Sequence, residues 1–190
     1  MKYKVIDNFL DKEYFDSLVA LFTNKVKAGK QKLSWYFITD ISDYNVVEDN
    51  LFYMIHTFYE SNMPTSSHYN TLIPLLDKLK VECLVRIKSN LYPNTEILHE
   101  HPMHADLPYS HSAAILSLNT CDGYTKLKDG TKIDSVANRI LLFDAGEKHC
   151  STTTTNDYAR FNININYVQV SMLISSGNKG VMTPFNNYYK

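Results

Sequence analysis

Polar and apolar side chains alternate without interruption from Ala159 to Tyr167. Arg160, Asn162, Asn164 and Asn166 fall on one face, and Phe161, Ile163, Ile165 and Tyr167 on the other. A period of two is the signature of a β-strand with unlike faces. The same alternation sets Arg86, Lys88, Asn90 and Tyr92 against Ile87, Ser89 and Leu91, and Tyr92-Pro93 ends that run. Two such strands predict either a solvated outer surface or a polar interior at the mouth of a barrel.

Other segments fill in the frame. Residues 3–6, 35–38, 112–118 and 139–143 read as further strands, as does the whole of 81–92. Turn signals at Asp122-Gly123, Asp129-Gly130 and Ala145-Gly146 punctuate the second half. Asp11 is placed to cap an amphipathic helix carrying Phe15, Leu18, Val19 and Phe22, with Gly29 and the lysines around it as the stop. Residues 71–80 have a leucine-rich face and a charged one, which predicts a second helix; the apolar segment 51–59 fits helix or strand. Short strands at close spacing predict a mainly β, α+β chain: a β-sandwich or jelly roll, braced on one sheet by N-terminal helices. Neither repeat nor linker is visible, so 1–190 is read as a single domain, with bracing elements mostly in 1–80, the jelly-roll core in 81–168 and a tail in 169–190.

Composition narrows the partners. A net charge of −1 gives no basic field for nucleic acid or an anionic membrane. Charges interrupt the first fifteen residues too often for a signal peptide, and no window is apolar enough to span a membrane. Cys83, Cys121 and Cys150 are an odd set without a paired framework. They are expected as reduced thiols in a cytoplasm.

Candidate chemistry lies between His104 and Arg160. His104-Ala105-Asp106 offers an imidazole and a carboxylate at i and i+2, on one side of an expected strand. With seven His and thirteen Asp in the chain, about 0.5 such patterns arise by chance, so the motif needs context. His149, after the Phe143-Asp144-Ala145-Gly146 strand end and turn, is the expected third ligand. Two imidazoles and one carboxylate can hold one face of a ferrous ion and leave the opposite positions open. Eleven residues after His149, Arg160 suits bidentate capture of a carboxylate that also chelates the metal. The Tyr92 hydroxyl is a candidate contact for the same molecule. His99, His101 and His111 are competing ligands; Cys150 is disfavoured because neighbours on a strand face opposite ways. His56 and His68 have no evident partners and are expected to pack or face solvent.

In order and spacing, these segments resemble the Fe(II)/2-oxoglutarate-dependent oxygenase superfamily, nearest in texture to its prolyl-4-hydroxylase-like branch. "YKVIDNFLDKEYFDSL" resembles that branch's opening strand and helix, "NLYP" its cosubstrate-contacting strand and "HADLPY" its His-x-Asp turn. "LSLNTCDGYTKLKDG" is similar to a segment in which Asp122 replaces one of two glycines. "VANRILLFDAGEKHCS" resembles the strand leading to the distal histidine, and "ARFNININY" the strand carrying the basic anchor. The ensemble is also similar to small members of the family found in bacteriophages, which would place the protein in the cytoplasm of an infected host cell.

The resemblance implies a double-stranded β-helix with Fe(II) held by His104, Asp106 and His149. It implies 2-oxoglutarate as cosubstrate, its distal carboxylate on Arg160 with help from Tyr92, and Asn90, Asn119 and Asn162 as weaker contacts. Many relatives carry lysine at the basic anchor, and others have Ser or Thr two residues after the arginine, where this chain has Asn162. The implied reaction consumes O2 and 2-oxoglutarate, hydroxylates a substrate C–H bond, and releases succinate and CO2. A protein side chain, a free amino acid and a small metabolite all fit as substrate. Residues 40–67 and 171–190 are candidate lid segments. Two rival readings stay open: a cupin-type metalloprotein that uses His99-x-His101 with Gly146-x-x-His149, and a binding module that keeps the barrel without turnover.

Overall fold

The computed structural model describes residues 3–23, 25, 29, 32–39 and 51–168. Within them the elements run β1 (Tyr3–Ile6), α1 (Lys12–Phe22), β2 (Tyr36–Ile38), β3 (Tyr53–Glu60), β4 (Met63–Pro64), a 3-10 turn (Tyr69–Leu72) and α2 (Ile73–Leu79). They continue with β5 (Cys83–Pro93), β6 (Ser112–Ser117), β7 (Tyr124–Leu127), β8 (Lys132–Asp134), β9 (Ile140–Asp144), β10 (His149–Ser151) and β11 (Ala159–Val168). The larger sheet has the order β1-β9-β6-β11-β5-β3-β2, with β4 paired to β3; the smaller has β10-β7-β8. Every pairing is antiparallel.

One face of the larger sheet is apolar and the two helices cover it. Phe161, Ile163, Ile165 and Tyr167 of β11 join Ile87, Phe58, Leu116 and Ile140 in one core with Phe15, Leu18 and Phe22 of α1 and Leu75, Leu76 and Leu79 of α2. Phe22 is fully buried, with ring contacts to both Trp35 and Phe58. Truncating it to Ala would cost about 3–5 kcal/mol. The opposite face looks toward the smaller sheet. There Ala113, Ile115, Leu141 and Phe143 pack with Leu127 and Ala145 at one end, while the polar faces of β5 and β11 occupy the other.

Several boundaries differ from the sequence expectation. Asp11 sits at the N-cap of α1, but its side chain makes no capping bond. The helix stops at Phe22, well short of Gly29: the Thr23 amide and hydroxyl both donate to the Val19 carbonyl and close the last turn. Residues 71–80 split, because Pro74 lacks an amide and fits only the first turn of an α-helix. The preceding residues wind as the 3-10 turn, and Lys80 ends α2 in the left-handed conformation at φ 55°. The ambiguous segment 51–59 is the strand β3. The short strands β7, β8 and β10 were not evident from three or four residues each; the hairpin between β7 and β8 turns on Gly130 at φ 88°. Of the expected lid segments, 40–50 and 171–190 lie outside the described residues. No described helix is long and apolar enough to cross a membrane.

Candidate metal centre and cosubstrate pocket

Register brings the two polar ladders together. Antiparallel pairing sets Arg160 opposite Tyr92, Asn162 opposite Asn90, Asn164 opposite Lys88 and Asn166 opposite Arg86. Directly opposed residues share a face, so the eight side chains form four rungs on the inner side of the larger sheet. The four β11 members are all buried, which rules out the solvated-surface reading of this strand.

His104 and Asp106 lie in a loop rather than on a regular strand. What aligns them is a β-bridge: the His104 and His149 amides donate to each other's carbonyls at 2.9 and 2.8 Å, and the Asp106 amide donates to Ala145 at 3.0 Å. The Asp144 carboxylate fixes the adjoining hairpin by accepting from Ser110 Oγ and from the His111 and Gly146 amides. Nothing in the sequence pattern had singled out that role for Asp144.

The bridge and hairpin bring one ligand atom from each of His104, Asp106 and His149 within 4.8 Å of one another. Nε2 of His104 is 3.9 Å from Asp106 Oδ1, and Nε2 of His149 is 4.0 Å from Asp106 Oδ2. Each ring's Nδ1 lies within hydrogen-bond reach of a backbone carbonyl, Pro102 for His104 and Glu147 for His149. A proton on Nδ1 donates there and leaves the Nε2 lone pair facing the centre, the tautomer a metal requires.

Burial pulls both imidazole pKa values down, which favours the neutral, ligating form. Burial alone would raise the Asp106 pKa; the nearby His149, Lys88 and Arg86, with the Asn166 amide, outweigh it and hold the carboxyl below the usual range. Asp106 is locked in place as well. Oδ1 accepts from Arg86, and Oδ2 from the amides of Asn164 and Asn166. These three residues were visible in the ladders, but their use as a clamp was not.

Three rungs away lies Arg160, 1% exposed. Nη2 donates to Thr125 Oγ1 at 3.0 Å, Nη1 reaches the Thr152 carbonyl only at 3.4 Å, and Nε has no partner. Among the described residues no carboxylate pairs with this guanidinium. Tyr92 faces it, with the guanidinium carbon 5.6 Å from the ring centre. Tyr92 is buried and stacks on Tyr53, with Ser151 and Asn162 beside its hydroxyl. Asn90 donates to Asn162 and keeps an unpartnered buried oxygen; Asn164 also has one.

One small cavity joins most of these groups; Arg160 does not line it but bonds Thr125, which does. Lys88, Asn90, Tyr92, Asn162 and Asn164 line it together with His104, Asp106 and His149, and its empty volume is about 330 Å³ counting the open mouth. Cys150, expected to face away, also lines it, but the cluster of ligand atoms does not include the thiol. A wider hollow at the sheet edge, lined by Tyr3, Leu142 and Val168 among others, contains none of the three expected ligands; chemistry, not size, marks the smaller cavity as the candidate site.

The other candidates are placed elsewhere. Asn119 is not a lining residue: it donates to Asp157 and to the Ala159 carbonyl and accepts from the Phe161 amide, bracing the start of β11. His101 is buried against the Tyr92 ring with Nδ1 on Ser151 Oγ and Nε2 unpartnered, outside the ligand cluster. The His99/His101 pair of the cupin-type reading is therefore not assembled with His149. His111 reaches Asn166 through Nε2 and supports the clamp on Asp106. His56, for which no partner was evident, lies between the Ser34 carbonyl and Ser66 Oγ, each 2.7 Å away.

No family model and no curated protein matches the chain by sequence. Solved structures match it by fold. A prolyl hydroxylase from Trichoplax adhaerens, in complex with a hypoxia inducible factor oxygen degradation domain peptide fragment, superposes with TM-score 0.62 at 16% identity over 87% of this chain and 83% of that one. A Pseudomonas putida prolyl-4-hydroxylase gives 0.56 at 15% over 88% and 92%. HygX from Streptomyces hygroscopicus, with nickel, 2-oxoglutarate and hygromycin B bound, gives 0.57 at 10% over 89% and 83%. The chain has the double-stranded β-helix fold of the prolyl-4-hydroxylases and other 2-oxoglutarate–Fe(II) oxygenases.

Proposed function

We propose that this protein is an Fe(II)- and 2-oxoglutarate-dependent dioxygenase that hydroxylates a protein side chain, an amino acid or a small metabolite. The observation that carries the reading is Arg160. A buried guanidinium without an anion costs several kcal/mol, and this one lies directly behind Thr125 and Tyr92, which line the pocket that holds the His104–Asp106–His149 cluster. A molecule with a carboxylate for Arg160 and a chelating end for a metal satisfies both.

The residues present fit the groups this reading needs. His104, Asp106 and His149 would hold the metal through two neutral imidazoles and one carboxylate, a donor set suited to non-haem iron with open positions. The unpartnered buried donor, Arg160 Nε, matches a bound carboxylate. Ferrous iron with 2-oxoglutarate and O2 supplies the oxidising power for C–H hydroxylation, with succinate and CO2 as coproducts. The chain's own work is to bind and orient. Arg160 and Tyr92 would grip the distal carboxylate, and Asn90 and Asn162 would flank the carbon chain. Arg86, Asn164 and Asn166 keep Asp106 ionised and aimed. The buried walls limit water around the reacting groups.

The test is an anaerobic titration of the apoprotein with Fe(II) and then 2-oxoglutarate, following the weak visible charge-transfer band of a chelated 2-oxo acid. The band is expected in the native protein and absent from Asp106→Ala and His149→Ala. Iron binding without the band would instead favour the module that lacks turnover.

A further inference from the structure

Lys88 is left over once the proposed ligands are assigned. It lines the same cavity as His104, Asp106 and His149, yet its ammonium makes no hydrogen bond or ion pair among the described residues. The other cations of the ladder are accounted for. Arg86 holds Asp106 and Asn166, and Arg160 is assigned to the distal carboxylate. Opposite Lys88 on β11 stands Asn164, whose oxygen is buried and unpartnered. Lys88 and Asn164 thus form a rung beside the proposed metal position, with the lysine as its charged donor and the Asn164 amide nitrogen already given to Asp106.

The spacing argues that this rung serves a different molecule from the one on Arg160. Lys88 and Tyr92 are four residues apart on β5, about 13 Å along a strand, longer than a five-carbon diacid. Burial, and then the neighbouring Arg86, lower the Lys88 pKa to about 8 against the smaller opposing pull of Asp106 and Glu60; the amine is still mostly charged at neutral pH. Among the described residues the half-buried ammonium has carboxylates only at longer range, Asp106 and Glu60, so an anion entering the cavity would be its first direct partner.

Resting on the reading above, we propose that the substrate carries a carboxylate or phosphate that seats on Lys88, so that the enzyme acts on an anionic substrate. A neutral or cationic side chain would leave the ammonium unpaired at the moment of reaction. Selection would follow from that penalty as much as from the new contact.

The test uses the full chain with its lysines 13C-dimethylated, a modification that keeps the charge, loaded with Zn(II) as a diamagnetic stand-in. The Lys88 signal is identified by its loss in Lys88→Met. Addition of 2-oxoglutarate is expected to leave this signal nearly in place. Acetate and inorganic phosphate added next, in separate arms, are expected to shift it saturably in one arm or both, and acetamide not to. The arm that saturates at lower concentration names the anion class. Lys88→Met should keep 2-oxoglutarate affinity within about threefold and lose anion binding by about tenfold or more.

A signal that saturates with 2-oxoglutarate and ignores later anions would make Lys88 a cosubstrate contact and overturn the proposal. So would a signal that ignores both anions. Calorimetry on the same samples separates the two levels: absent Zn(II) or 2-oxoglutarate binding counts against the oxygenase reading, not against the rung.

Discussion

Gly123 lies so close to Arg160 that a Cβ on the glycine would stand 2.7 Å from Arg160 Cδ, and 2.6 Å from the Thr153 carbonyl oxygen. The arginine stem gives way more readily than the backbone carbonyl, so a side chain here pushes the guanidinium out of position. Gly123→Ala is expected to cost about 1–3 kcal/mol of stability and to weaken 2-oxoglutarate binding while Fe(II) binding stays near native. Parallel calorimetric titrations of the two ligands check this. Equal loss of both would point to general unfolding rather than to Arg160.

Removing the two ends of the site should separate their roles. Asp106→Ala takes away one proposed ligand and leaves Arg86 without its acid, so Fe(II) binding should be abolished. Arg160→Ala should keep Fe(II) and weaken 2-oxoglutarate by about 3–5 kcal/mol, the cost of removing one partner of a buried charged pair. Arg160→Lys keeps charge but loses the planar fork, and should fall between. Normal 2-oxoglutarate binding by Arg160→Ala would remove this residue from the pocket's function.

The ladders were legible because the alternation in β5 and β11 is unbroken, and a β-strand turns such alternation directly into two faces. Their burial was not legible, since the same pattern suits a wet surface; it depends on the smaller sheet, whose strands are too short to stand out. The expectation that His104 and Asp106 share a strand face failed because their alignment comes from a two-residue bridge to His149 across 45 residues of sequence. Asn119 misled for a related reason. Its type suits a ligand contact, but only the path of the chain shows that the loop before β11 uses up its amide.

Asn166 is fully buried and contacts Arg86, Asp106 and His111. It therefore orients the proposed carboxylate ligand without touching the metal. Residues in that position commonly contribute 10–100-fold to metal affinity. Asn166→Ala is expected to weaken Fe(II) binding by about that factor, with 2-oxoglutarate affinity at saturating metal changed much less. Competition against a chelator of known strength measures the first quantity, and an unchanged value would show that Arg86 and Asn164 suffice.

His101 gives the fold a pH dependence. Burial, with Arg160 adding like charge, lowers its pKa from 6.5 to about 4. Between those values the unfolded chain takes up a proton that the folded one refuses, so stability falls as pH drops from 6.5 toward 4 and levels off below. The full shift corresponds to about 3 kcal/mol. His104 and His149 are lowered too and act in the same direction in metal-free protein. Urea unfolding of native and His101→Gln chains with chelator present, from pH 4 to 7, should show a shallower slope for the variant. Parallel slopes would mean that His101 is protonated in the folded state as easily as in the unfolded one.

Asn138 fastens the edge strand β1 of the larger sheet to its neighbour β9. It sits in the left-handed region at φ 63°, accepts from the Leu10 amide through Oδ1 and donates to the Leu10 carbonyl through Nδ2, both at 2.8 Å. Its own carbonyl accepts from Phe9. The turn before α1 is thereby fastened to the turn before β9, where β1 joins the edge of the sheet. Asn138→Ala removes both side-chain bonds, leaves two buried backbone groups unpaired and meets backbone strain, for a combined loss of about 2–4 kcal/mol. Asn138→Gly relieves the strain but not the missing bonds, so it should recover only about 1 kcal/mol of that. Thermal unfolding of the pair against the native chain measures the split. If the glycine variant regained full stability, backbone conformation alone would explain the residue, and the amide's bonds to Leu10 would contribute nothing.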